Sequence, residues 1–331
     1  MRRSEIIADA ERRAKQAVAA AACDTAEAPG AALGSAVAPT PAPAPSSEGR
    51  SVRLTKAGKR RLPLWRRSPS LVVGIVIVGL ACVIAVAPQL FTSYNPLQIN
   101  PAAMLKAPSL EHLFGTDNYG YDVFTRVIYA TRLDLLIGVG SVALPFVLGS
   151  LLGLVAGYYG GKFDSFIMRV LDIFMAFPFM VLAIAIVAIL GNGVSNLLIA
   201  MWIVSWPPYT RLVRSEVLVA KNSEYVQAAK VLGYSDATII FRHILPNVIS
   251  SSVVYGASDI VMCIMTAASL SFLGMGVPAP TPEWGAIISA GKSFISTAWW
   301  ITALPGAFMA VVGLGFSLLG DGLNDLLRTK N

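Results

Sequence analysis

Long stretches without charge constrain this chain more than any other feature of its sequence. Residues 68–105, 135–161, 173–210 and 293–320 contain no Asp, Glu, Lys or Arg, and residues 244–282 contain only Asp259. A helix rises 1.5 Å per residue and the hydrocarbon core of a bilayer is about 30 Å thick, so roughly 20 apolar residues suffice to cross it. Five such blocks are more than the core of a soluble protein of this size needs. Charged residues make up 14% of the chain, where a soluble domain carries about 25%. The sequence therefore predicts an all-α integral membrane protein.

The net charge of +7 is carried by one end. Residues 1–70 hold 13 Lys/Arg against 6 Asp/Glu, and the rest of the chain holds 13 of each. An excess of this kind beside the first span follows the positive-inside rule and does not require nucleic acid as a partner. The run Lys56, Lys59, Arg60, Arg61, Arg66 and Arg67 would sit at the anionic inner leaflet. Residues 23–49, rich in Ala, Pro, Ser and Gly, bury too little apolar surface to offset the entropy of ordering. Residues 1–67 are expected to be a largely disordered cytoplasmic tail, and residues 68–331 the membrane domain.

Breaks within the blocks define spans near residues 70–90, 133–158, 166–190, 197–216, 248–273 and 301–319. The third and fourth are separated at Gly191-Asn192-Gly193, because Gly and Asn favour turns. Six spans with both termini in the cytoplasm place 22 of the 26 Lys/Arg inside, in agreement with the same rule. His112 and His243 fall on opposite predicted sides, which gives no metal cluster.

Between the fourth and fifth spans, residues 223–247 read SEYVQAAKVLGYSDATIIFRHILPN. Ser223 can cap a first helix, Gly233 suits a left-handed stop, and Ser235-Asp236 can start a second helix. Pro246 marks the return toward the membrane. The pattern is a helix–glycine–helix elbow with small Ala228 and Ala229 before its turn. On these grounds it reads equally as a plain loop or as a docking surface.

Gln227-Ala228-Ala229, three residues, Gly233, nine residues and His243-Ile244-Leu245-Pro246 resemble the EAA loop of binding-protein-dependent ABC import permeases. Gln stands where that pattern has Glu, and His where it has Ile. His112-Leu113-Phe114-Gly115-Thr116-Asp117 with Gly120, Asp122 and Arg126 is similar to the C-type permeases of dipeptide, oligopeptide and nickel importers. So are Leu270-Ser271-Phe272-Leu273-Gly274, Thr281-Pro282-Glu283-Trp284-Gly285, Trp299-Trp300 and Gly320-Asp321-Gly322-Leu323. The resemblance runs from about residue 71 to 327. Tyr121 replaces the Arg of the family's Gly-Arg-Asp, Ala267 a common Glu, and Asn324 a common Arg.

This resemblance implies the type I ABC importer permease fold, in a multi-pass subunit of the bacterial cytoplasmic membrane. It implies a homologous permease as heterodimer partner, two ATPase subunits below and a solute-binding protein above. It also implies that Gln227, Ala228, Ala229, Gly233, His243, Leu245 and Pro246 couple to the ATPases. The solute would be a peptide or related small molecule. No cofactor is expected in this chain, and it is not an enzyme, since ATP and Mg would be bound by the partners. Gly161-Lys162-Phe163 lacks the Ser/Thr of a phosphate loop and has Ala156 in place of its first Gly. Prolines within the spans, Pro178 among them, are placed to kink helices along a path. Asp259, central in the fifth span, is the acid best placed to line that path, with a structural hydrogen bond to a neighbouring helix as the other reading. An ion-coupled carrier, or a membrane scaffold or sensor, is the alternative function.

Overall fold

The computed structural model describes residues 69–328. The predicted N-terminal tail lies outside the described residues. Those residues form nine helices, with 3-10 turns in the connections: α1 (Pro69–Val86), α2 (Val123–Tyr159), α3 (Gly161–Met175), α4 (Phe179–Leu190), α5 (Val194–Ala220), α6 (Glu224–Val231), α7 (Asp236–Phe272), α8 (Trp284–Gly291) and α9 (Trp300–Arg328). No strand is present among the described residues. Four helices, α1, α2, α7 and α9, are long and apolar enough to cross a membrane. α5 has 27 residues, but its Trp, Tyr and Pro residues and the charges near its end dilute its apolar character.

The expected third span is sharply bent at Pro178, one of the prolines placed to kink a helix. α3 and α4 meet at 85°. Proline supplies the reason: Pro178 has no N–H to give, and its ring disfavours helical backbone in the residue before it. Pro178 is extended at φ −57°, ψ 125°, and its carbonyl accepts the first bond of α4 from Leu182 N–H at 3.1 Å. α3 is amphipathic, and ion pairs tie it to α5. The Arg211 guanidinium lies 2.9 Å from Asp172, and Arg214 clasps Asp164 with both donor groups, one at 2.6 Å.

The longest shared seam runs between α2 and α5. Gly149, Gly153 and Gly157 fall every fourth residue, on one face of α2. A methyl group at Gly153 would stand 2.5 Å from the Thr210 carbonyl oxygen, and one at Gly149 2.7 Å from that of Trp206. The missing side chains let the two backbones approach, as small residues do where membrane helices pack without a hydrophobic driving force. α1 rests on α9 and α2, and α7 rests on α2, α9 and α5.

Candidate functional site

At the Tyr159 end of α2, the stretch after α5 forms the expected elbow. α6 stops at Gly233, φ +77°. Tyr234 N–H donates to the Ala229 carbonyl at 3.2 Å and Gly233 N–H to that of Lys230 at 3.0 Å, the paired bonds of a Schellman stop. Ser235 then caps the next helix, its Oγ accepting from Thr238 N–H. Ser223 occupies the first cap position but makes no side-chain cap. Its hydroxyl donates back to the Ala220 carbonyl, so the local backbone competes for that group. A π turn over Ile239–Ile244 carries α7 into Pro246. Leu245 N–H there reaches back five residues to Ile240, a widening that accommodates a proline unable to donate its own bond.

The elbow has two different faces. Val226, Ala229, Ile239, Ile240, Ile244 and Val248 pack against Leu154 of α2 and Val213 and Val217 of α5. Tyr158 Oη donates to Asp236 at 2.6 Å and Lys221 Nζ to the Gly157 carbonyl at 2.8 Å. The opposite face is apolar yet open, with Val231 88% exposed and Leu232 74%, beside Tyr234 and Phe241. The seven residues singled out from the sequence divide between them. Gln227, Ala228, Gly233 and Pro246 are exposed, His243 and Leu245 are half-buried, and Ala229 is buried. Of the two alanines only Ala228 can meet another surface; Ala229 is part of the packing that holds the elbow to α2 and α5.

The Val123 end of α2 is covered by a cap built from residues 87–122 and 273–300. Carboxylates organise it. Asp122 accepts from Thr125 N–H at 2.7 Å, capping α2, while its other oxygen meets His112 Nδ1 at 2.8 Å. Asp117 accepts from Tyr119 N–H at 2.8 Å and Tyr121 N–H at 2.9 Å. Burial pushes its carboxyl above the usual range, opposed by those backbone donors and the Arg126 guanidinium. Tyr121, where an arginine was expected by resemblance, lies under that guanidinium at 4.5 Å.

Glu283 is fully buried and accepts from Gly285 N–H at 2.9 Å and Ala286 N–H at 2.7 Å, capping α8. Asp134 stands beside it and accepts from Trp284 N–H at 3.1 Å. The Trp284 indole donates to the Val127 carbonyl at 3.1 Å, and that of Trp300 to the Thr116 carbonyl at 3.2 Å. Asp134 had no distinction in sequence, since it falls at the margin of a predicted span. The Thr281-Pro282-Glu283-Trp284-Gly285 stretch was the available signal for its partner.

Between the two ends, Asp259 lies in the middle of α7. Tyr209 Oη, from fully buried Tyr209 of α5, donates to its Oδ2 at 2.9 Å. Tyr255 meets the Tyr209 ring edge-on at 4.9 Å. The structural hydrogen bond foreseen as one reading is thus present, and Asp259 as a whole is half-buried. Pro178 lies at the α3–α4 bend, exposed and far along the chain from this cluster.

These features define a helical membrane protein with an elbow whose outer face is apolar and open at one end and a closed cap at the other. Residues 149–330 match the family described as binding-protein-dependent transport system inner membrane component, and the chain belongs to that family. It is 45% identical over 259 residues to the dipeptide transport system permease protein DppC of Alkalihalophilus pseudofirmus, covering 78% of this chain and 85% of that one. It is 45% identical over 225 residues to the glutathione transport system permease protein GsiD of Pectobacterium atrosepticum, covering 68% and 75%. Against the oligopeptide transport system permease protein OppC of Bacillus subtilis it is 36% identical over 282 residues, covering 83% and 92%. The chain is a transport permease subunit of the ABC importer class, and the matched span includes the elbow, Asp259 and the α8 cap.

Proposed function

We propose that this chain is one of two homologous permease subunits of a peptide importer, and that its elbow transmits ATP-driven motion from separate ATPase subunits. The open apolar face of Ala228, Val231, Leu232, Tyr234 and Phe241 carries this reading. Exposed apolar surface rimmed by polar residues marks an interaction site, and here it is mounted rigidly on α2 and α5. A push on that face reaches both helices through the cluster around Leu154 and Val213.

In this reading α1, α2, the α3–α4 pair, α5, α7 and α9 supply six spans in the bacterial cytoplasmic membrane, with both termini in the cytoplasm. The elbow then faces the cytoplasm and the cap faces a solute-binding protein. Gln227, Ala228, Gly233, His243, Leu245 and Pro246 form or shape the coupling surface, Ala229 anchors it, and Asp259 and Pro178 belong to the path. ATP and Mg are bound by the partners. Peptide selectivity follows the names of the relatives.

The test is Gly233→Val. It forces a β-branched residue into positive φ at a position with nothing within 4 Å of an added Cβ, so its effect is backbone strain of about 1–3 kcal/mol. The subunit should insert and pair with its partner permease, while ATPase co-purification and substrate-stimulated ATP hydrolysis fall together. Normal stimulated hydrolysis by the variant complex would refute the coupling role.

A further inference from the structure

The uncovered faces of the helices are not alike. The outer face of α1 is Val73, Ile75, Val76, Leu80 and Val83, and that of α4 includes Val181, Ile189 and Leu190. Such aliphatic faces suit hydrocarbon. The uncovered face of α7 carries Ser258, Met262 and Met265, with half-exposed Tyr255 and Asp259 at its edge. An ionisable group and a hydroxyl do not face lipid at mid-span without cost, and they belong against protein or water.

The Asp259 carboxyl is held on one side only. Tyr209 fixes Oδ2, and among the described residues no Lys, Arg or His lies within ion-pair distance. A neutral hydroxyl orients a carboxylate but does not cancel its charge. Tyr255, four residues earlier, is its neighbour on the same helix face, and an aromatic ring beside a carboxylate is favourable to a cation.

Resting on the path reading above, we propose that Asp259, aimed by Tyr209 and flanked by Tyr255, is a transient counter-charge for a primary ammonium group of the passing solute. The ammonium of a peptide N-terminus and that of a lysine side chain share this chemistry. One neutral donor leaves the other carboxylate oxygen available, which suits brief binding in a path better than a saturated site would.

The field at the site can be read without the solute-binding protein. In the complete complex, with native cysteines replaced, Met262→Cys places a thiol one turn from Asp259 on the same uncovered face. Its modification rate is measured with a cationic trimethylammonium and an anionic sulfonate methanethiosulfonate reagent, in Asp259 and Asp259→Asn backgrounds. A preference for the cationic reagent that falls about tenfold in the Asn background is expected. A reactive thiol whose preference is unchanged overturns the ammonium site and leaves the path intact. A thiol unreactive with both reagents, while an exposed control at Leu110→Cys in the cap reacts, overturns the path reading and the site with it.

Vesicle uptake at saturating loaded binding protein then distinguishes the sources. Loss in Asp259→Asn confined to Ala-Ala and spared for N-acetyl-Ala-Lys assigns the N-terminal ammonium, and loss confined to N-acetyl-Ala-Lys assigns the side chain. Loss of both, reversed by Asp259→Glu, assigns ammonium from either source. Equal loss of N-acetyl-Ala-Ala, which has neither ammonium, refutes the proposal.

Discussion

The cap and the elbow sit at opposite ends of α2 and are built on opposite principles. In the cap, polar groups are buried and answered from within: Glu283 by two backbone N–H groups, Asp122 by Thr125 and His112, and both Trp284 and Trp300 by carbonyls. In the elbow, the side facing α2 and α5 is packed and the other is left apolar and bare. Removing a group from the cap leaves a buried partner unsatisfied. Removing one from the outer elbow leaves nothing unsatisfied in this chain, because its exposed side chains are apolar and make no polar bonds there. Cap residues should therefore report on stability and elbow residues on coupling.

The sharpest way to break this contrast is Trp284→Ala. Its ring is fully buried against Phe308 at 5.6 Å, and truncating a core Trp costs about 3–5 kcal/mol. A fall in the melting temperature of the purified complex should be the largest of the set, with ATPase docking retained below the transition. Glu283→Ala should come next. It strips the buried Gly285 N–H and the part-buried Ala286 N–H of their acceptor at the start of α8, at about 1–3 kcal/mol, and should open α8 to amide exchange before the rest of the chain unfolds.

Leu232→Asp tests the other side. A surface change away from special features moves stability by about 0.5 kcal/mol or less, so the melting temperature should stay put. Pull-down of the ATPase subunits should nonetheless be lost, since a charge would enter an apolar contact. A fall in stability without loss of pull-down would erase the distinction between the two ends.

The smallest effect is expected from Asp117→Asn. The folded-state carboxyl is raised above 3.8 by burial, so the folded cap holds the proton more tightly than the unfolded chain. That contribution is present at low pH and is lost as pH rises through the raised value. The melting-temperature difference, wild type minus variant, should shift against the wild type from pH 4 to pH 7. The opposite trend would show that the backbone donors and Arg126 outweigh burial.

Local rules made much of the elbow legible. The Gly233 stop and the Ser235 cap depend on backbone preferences within a few residues, and both are where the sequence placed them, whereas at Pro246 the chain does not turn but runs on as α7 through a π turn. Ser223 departed because its hydroxyl found a nearer carbonyl. A kink at Pro178 was legible, but its sharpness, 85° between α3 and α4, was not, because that angle depends on where the neighbouring helices let the chain turn. Ala228 and Ala229 look identical in sequence, and only the position of α2 and α5 makes one a surface residue and the other an anchor.

By itself, then, the sequence determined that the chain is helical and membrane-spanning, because span length and charge exclusion are set by the bilayer. It also determined the elbow's backbone, because φ preferences are local. The tertiary structure decided which polar groups meet: Asp134 beside Glu283, Asp259 under Tyr209, Arg214 on Asp164. Each pair joins different elements across 50 or more residues. Only the close approach of helices along seams such as Gly149-Gly153-Gly157 brings them within reach, and no local preference encodes that distance.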